Sequence, residues 1–230
     1  MVRFVGKKNI STQKVLKSAI FVNSPNIITL LIMPTPSTIL KIYQRHEAHI
    51  DAIAREAAAA HAAVNQYYGG NLPYSYHLRL TANYALRFAH LLPLAEEDME
   101  TVFAAAWFHD ALEDARLTYN DLIKVFDRLN TECGCSIRTR DAAEIVYALT
   151  NDKGRTRAER AGERYYAGIR QTPFAPYLKM CDRLANLRHS TLFYPRQRMA
   201  EVYAQEMPHF LESIGPVPEA MVRHAEELLA

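Results

Sequence analysis

Apolar positions along this chain recur at helical rather than strand spacing. Between Tyr74 and about Leu92, the residues Leu78, Ala82, Ala85, Leu86 and Ala89 share one face, which predicts an amphipathic helix. An Ala-rich segment from Ile39 to about Gln66 predicts a longer one, stopped at Gly69-Gly70. After Pro93, Glu96-Glu97-Asp98 place negative charge at the positive end of a third helix. That helix carries Val102, Phe103 and Ala106 towards His109. Thr118 with Asp121 has the form of a capping box, and Thr139 to Thr150 and Thr156 to Gln171 read as further helices. Pro176 suits a helical first turn, where its missing N–H costs nothing. Pro195, Pro208 and Pro218 are expected to divide the tail into short helices. No run alternates as a half-buried strand does, and no Asn-Gly or Asp-Gly turn occurs. The expected fold is all-α, a bundle of about eight to ten helices.

Residues 1–38 read as an extension of unknown role, and residues 39–230 as the helical domain. Ile20 to Ile32 is apolar only in patches, interrupted by Asn23-Ser24-Pro25-Asn26, and falls short of the ~20 apolar residues of a membrane span. It also lacks the clean apolar run and small-residue site of a signal peptide, and Met33 offers an alternative translation start.

Composition narrows the function classes. The 27 basic and 25 acidic residues leave a net charge of +2, which gives no reason to expect a nucleic-acid or membrane-surface partner. Cys133, Cys135 and Cys181 do not make a disulfide framework, and a reducing cytoplasm is the expected location. Cys133-Gly134-Cys135 has no second pair at zinc-finger spacing and reads as a plain loop. The sequence carries no signal for an oligomeric state.

Candidate chemistry begins at Ala106-Trp107-Phe108-His109-Asp110-Ala111-Leu112-Glu113-Asp114. On a helix, His109, Asp110, Glu113 and Asp114 share a side that continues the apolar face of Val102, Phe103 and Ala106. These groups should therefore point inward, where carboxylates are costly unless paired or bound to a metal. His77 stands early in the preceding helix, after Pro73-Tyr74. Downstream, Leu178 to Arg188 forms another amphipathic helix in which Asp182 and Asn186 are i, i+4 neighbours. Two imidazoles and two carboxylates from three helices make an N2O2 metal site, with the ion held between helices.

A histidine, then His-Asp-x-x-Glu-Asp at 109–114, then Lys-x-x-Asp-Arg-Leu-x-Asn-Leu-Arg at 179–188, resembles the HD-type hydrolase domain of the Rel/Spo stringent-response enzymes. The single-domain, metazoan-type small alarmone hydrolases are also similar in length. The resemblance covers roughly His61 to Met207. It implies one Mn²⁺ ion held by His77, His109, Asp110 and Asp182, with Glu113 and Asp114 assisting the attacking water. It implies removal of pyrophosphate from the 3′ position of guanosine 3′,5′-bis(diphosphate), ppGpp, or its pentaphosphate. Many HD phosphodiesterases hold a second ion through further histidines, and none occurs from Ala115 to Cys181, which is compatible with a single ion.

For the substrate, Asp152-Lys153-Gly154-Arg155-Thr156-Arg157, with Arg160 and Arg164, supplies a basic stretch. Most of it reads as a solvated helix with Arg155–Glu159 and Arg160–Glu163 pairs. Lys153 is singled out because the small hydrolases carry a similar lysine, and Arg198 is a candidate for the outer phosphates. Asn186 is expected on the ribose or a phosphate, or else in a core hydrogen bond. One departure stands out. The family's His-x-x-Gln-x-Arg-Lys places a basic pair around the purine, whereas Gln66 and Tyr67 stand there in this chain. Tyr67 or Tyr68 then offers an aromatic face to a base, the alternative being packing at the helix end. His46, His49, His61, His90, His189, His209 and His224 read as structural or exposed, with His189 also a candidate for substrate contact. Three functions follow: the alarmone hydrolase; an HD hydrolase acting on another phosphorylated nucleotide, such as an adenosine analogue or a nicotinamide dinucleotide phosphate; and a non-catalytic nucleotide-binding module.

Overall fold

The structure, a computed structural model, describes residues 33–192 and 197–230. The extension expected over residues 1–38 lies outside the described residues up to residue 32, as does Pro195.

Helix α1 (Pro36–Ala63) starts where the Thr35 hydroxyl accepts the N–H of Thr38, with Pro36 at the first helical position. Residues 36–38 therefore belong to this helix. Its inward stripe is Ile39, Ile42, Ile50, Ile53 and Ala57. The chain then forms an antiparallel hairpin, β1 (Tyr67–Tyr68) with β2 (Leu72–Pro73). This hairpin was not expected from the pattern, because two-residue strands are too short to show alternation. Its turn uses Gly69 and Gly70 at φ +65 and +96, the left-handed region where a side chain would clash.

Helix α2 (Ser75–Phe88) and helix α3 (Met99–Phe108) follow. All ten residues of α3 are buried, so this helix is central rather than amphipathic, and it packs against α1, α2 and helix α5 (Thr139–Leu149). Helix α4 (Tyr119–Cys133) opens with the Thr118–Asp121 capping box and closes at Gly134, φ +72. Phe126 of α4 meets Phe108 edge-on at 5.2 Å between ring centres.

The helix expected from Thr156 to Gln171 is two helices, α6 (Arg157–Arg160) and α7 (Glu163–Gln171), because Gly162 is fully extended. Helix α8 (Ala175–Leu192) carries Pro176 in its first turn and packs on α2, as expected for a core helix. Helix α9 (Gln197–Ile214) runs through Pro208 without ending, contrary to the division expected there. Proline removes one ladder bond, and buried Met207, Phe210 and Ile214 hold the flanking turns in place. Helix α10 (Glu219–Leu229) follows Pro218 and lies against α8. The architecture is an all-α multi-helix bundle, and no helix among the described residues is long and apolar enough to cross a membrane.

Candidate metal centre

Three elements distant in sequence deliver the donors. His77 comes from the first turns of α2, His109 and Asp110 from the end of α3, and Asp182 from the middle of α8. The expected helix through Asp114 stops at Phe108 and continues as turns. Asp114 N–H still reaches the Asp110 carbonyl, and Leu117 N–H closes back on Ala111 across Arg116 at φ +59. One helical turn is thus kept, and with it the i, i+4 relation of Asp110 and Asp114.

His77 Nε2 lies 3.1 Å from His109 Nε2, 3.2 Å from Asp182 Oδ1 and 3.3 Å from Asp110 Oδ2. His109 Nε2 lies 3.0 Å from Asp110 Oδ2 and 3.7 Å from Asp182 Oδ1. A divalent ion with bonds of ~2.1 Å has neighbouring ligands about 3.0 Å apart in an octahedron and about 3.4 Å apart in a tetrahedron. His77, His109 and Asp182 can therefore meet on one ion, and Asp110 Oδ2 lies at ligand spacing from both imidazoles. His109 Nδ1 is 2.9 Å from the Ala106 carbonyl, which can only accept, so Nδ1 carries the proton and Nε2 presents its lone pair inward.

Electrostatics follow from burial. Burial alone would lower His109, but the Asp110 charge and the hydrogen bonds to Asp110 and Asp182 raise its pKa to about 10. The Asp110 carboxyl, against the opposing effect of burial, is held well below the usual range by His109 and His77. Asp182 is held down in the same way, first by the Lys179 ammonium, which sits 3.0 Å from Asp182 Oδ2.

Behind the ligands stands Tyr74, whose hydroxyl is 2.7 Å from Asp110 Oδ2 and 2.5 Å from Asp114 Oδ2. A phenol has one proton for two carboxylates, and desolvation raises the Asp114 pKa, so Asp114 is the member suited to share it. Glu113 is solvent-exposed by surface area. Its carboxyl is nevertheless crowded enough that desolvation raises its pKa, and it accepts from the N–H (2.5 Å) and side-chain amide (3.1 Å) of Asn151.

His77, Asp110 and Asp182 line a cavity of about 400 Å³. Asn186 also lines it, donating to Asp182 Oδ1 at 2.6 Å and accepting from the Tyr68 hydroxyl at 2.7 Å. Tyr68 stacks on His77 with ring centres 4.6 Å apart. Lys153, Tyr67 and Arg198 are not on the cavity wall. Lys153 belongs to an exposed loop, and Arg198 is exposed in the first turn of α9. Tyr67 and Tyr68 are successive strand residues, which point to opposite faces, so only Tyr68 turns inward. Glu113 and Asp114 are not on the cavity wall.

The wall cations are Arg157, Arg160, Lys179 and Arg183. Arg157 is half exposed, yet also reaches the cavity wall. It pairs with Glu206 at 2.9 Å, and Arg183 joins the same carboxylate at 3.1 Å. Arg183 also lies over the rings of Tyr203 and Phe210. Glu159 caps α6 through the backbone of Arg155 and Thr156, and Glu163 pairs with Arg170, so the two expected helical pairs do not form. Sequence reasoning missed Tyr74, Lys179 and Arg183 as site residues. A signal existed for Lys179, one turn before Asp182. None existed for Arg183, whose place depends on α9. His61 is buried and stacked on Tyr74, with burial lowering its pKa to about 4, and His189 packs beside Tyr68.

The chain matches no protein-family model and no curated protein.

Proposed function

We propose that the protein is a metal-dependent phosphohydrolase of the HD type, acting on a phosphorylated nucleotide. Guanosine 3′,5′-bis(diphosphate) is the leading substrate, with loss of its 3′ pyrophosphate. One observation carries this reading: two imidazoles and the Asp182 carboxylate meet within reach of one ion, with Asp110 beside both imidazoles, in a cavity whose wall presents arginines, a lysine and tyrosines. Anionic phosphate suits the guanidinium groups, and a base suits the aromatic faces.

A bound divalent ion, here Mn²⁺, would acidify water and neutralise phosphate charge. The chain's own groups do the rest. Glu113, off the cavity wall but tied to the wall residue Asn151 and with its carboxyl pKa raised, is the group we assign to take the proton of the attacking water. Tyr74 and Asp114 hold Asp110 in place. Lys179 and Arg183 attract phosphate oxygens, and Asn186, fixed by Tyr68, orients the ribose or a phosphate.

A second reading, hydrolysis of another phosphorylated nucleotide, is favoured by Gln66 and Tyr67 standing where the resembled family has its basic pair. Purified protein with Mn²⁺ is to be assayed against guanosine and adenosine 3′,5′-bis(diphosphates) and nicotinamide dinucleotide phosphates, with products identified by ³¹P NMR. Release of pyrophosphate from the 3′ position is expected, with less than roughly tenfold preference between the two purines, since a stacking pocket discriminates weakly. No turnover of any of these compounds would leave the nucleotide-binding module as the reading.

A further inference from the structure

A second histidine–carboxylate cluster, outside the cavity wall, joins α1 to α3. His46 and His49 are one helical turn apart, so their rings leave α1 on the same side. Their Nδ1 atoms lie 2.6 and 2.7 Å from one and the same oxygen, Glu100 Oε1. The other oxygen, Oε2, accepts the backbone N–H of Ser136. Glu100 is 2% exposed, a carboxylate set in the fully buried first turns of the central helix.

Two features distinguish this cluster from an ordinary ion pair. His46 turns its second nitrogen, Nε2, to Glu96 Oε1 at 3.5 Å, and Glu96 is itself clamped by Arg45 at 2.8 and 2.7 Å. A carboxylate behind an imidazole is how ligating histidines are oriented. Access is also graded: side-chain exposure rises from 2% at Glu100 through 20% at His46 to 35% at His49. Gly134 stands at the rim, where a β-carbon would lie 3.9 Å from His49 Nε2, and Cys135 approaches the His49 carbonyl. The Cys133-Gly134-Cys135 turn therefore borders this cluster.

We propose that His46, His49 and Glu100 form a second metal site, for a divalent ion of the zinc class bound through two Nδ1 atoms and Oε1. Two imidazoles and one carboxylate are a donor set zinc accepts where its remaining position stays open to water. On binding, each imidazole moves its proton from Nδ1 to Nε2 and remains neutral. The His46 proton then points to Glu96, and the His49 proton to solvent. Bonds of ~2.0–2.1 Å require donors about 3.3 Å apart, so the rings spread by about 0.6 Å from their hydrogen-bonded positions. The ion would tie α1 to α3 and, through Ser136, to the turn after α4. The single ion expected from the sequence then belongs to the cavity alone, and this second site does not depend on what the cavity hydrolyses.

The test is zinc stoichiometry of the full chain, stripped with chelator, dialysed against zinc chloride at pH 7.5 and counted by elemental analysis. Wild type is expected to hold two equivalents, and the double variant His46→Ala, His49→Ala one. Asp182→Ala, which opens the cavity site, is expected to keep the equivalent bound at Glu100. Long-range ¹H–¹⁵N NMR of the wild-type imidazoles provides a reading that no variant's folding can spoil, with His46 and His49 passing to the Nε2–H tautomer as zinc is added. Equal zinc content in wild type and the double variant, or His46 and His49 resonances unchanged by zinc, would overturn the proposal.

Discussion

His77 and His109 are 1% and 2% exposed, whereas the side chains of His46 and His49 keep 20% and 35% of their surface, although each pair faces a buried carboxylate. The difference is in how the charge is satisfied. Glu100 receives two imidazoles and a backbone N–H, so three donors serve one carboxylate and the cluster is complete without an ion. In the cavity, the His109 Nε2 lone pair points at His77 Nε2 with two carboxylates alongside. That arrangement needs a proton or a cation at its centre, and the two carboxylates raise the His109 pKa in the same sense. The buried cluster is thus built around a positive charge, and the outer one around a negative charge. Metal uptake should accordingly be tighter in the cavity, and should compete there with protonation of His109.

The strongest way to break this comparison is Asp182→Ala. It removes the donor contributed by α8, and retention of Mn²⁺ in the cavity should vanish, with kcat/KM falling at least about 10²–10³-fold. Metal content after desalting, read beside the hydrolysis rate, checks it, and a variant that keeps both ion and rate would remove Asp182 from the ligand set. Next in size is Glu113→Gln, which should keep the ion and lower kcat by about 10²-fold, as expected for loss of a proton acceptor. Metal loss in this variant would instead make Glu113 a ligand.

Tyr74→Phe sharpens the cavity side. It deletes the hydroxyl between Asp110 and Asp114, and Mn²⁺ affinity should weaken about 10–100-fold while the fold stays intact. Calorimetric titration with Mn²⁺ and a far-UV spectrum give both readings, and unchanged affinity would make Tyr74 a packing residue only.

The smallest effect belongs to the outer cluster. Glu100→Gln leaves buried donors poorly matched and should cost about 1–3 kcal/mol of stability at pH 7 in chelator. Burial alone would raise the Glu100 pKa, but the Ser136 N–H and the two histidines bring it below 4.5. A depressed carboxyl pKa contributes stability that is complete above the unfolded value and is lost as pH falls through the folded one. The Tm gap between wild type and Glu100→Gln should therefore be full at pH 7 and shrink once pH drops below about 4.5. A gap that fails to shrink below about pH 4.5 would contradict a charged Glu100.

Much of this was legible in the chain itself. Helical periodicity, the Thr118–Asp121 cap and the prolines at 176 and 218 predicted the all-α bundle, since these signals act within a turn or two of backbone. The inward placing of His109 and Asp110, and the pairing of Asp182 with Asn186 one turn on, were readable for the same reason, whereas Glu113 is exposed because the helix ends at Phe108. Local chemistry could not say which cation faces the cavity. Lys153 was favoured by resemblance, yet Arg183 reaches the wall because Glu206 and Tyr203 of α9 draw it there. Tyr68 faces inward and Tyr67 outward only because a hairpin too short to show a period fixes the register. His46 and His49 read only as structural or exposed, and the packing of α1 on α3 is what brings both onto Glu100. Spacing along one helix is a property of the sequence. Which side chain from another helix meets it is settled by how the apolar faces pack, and only the tertiary structure decides that.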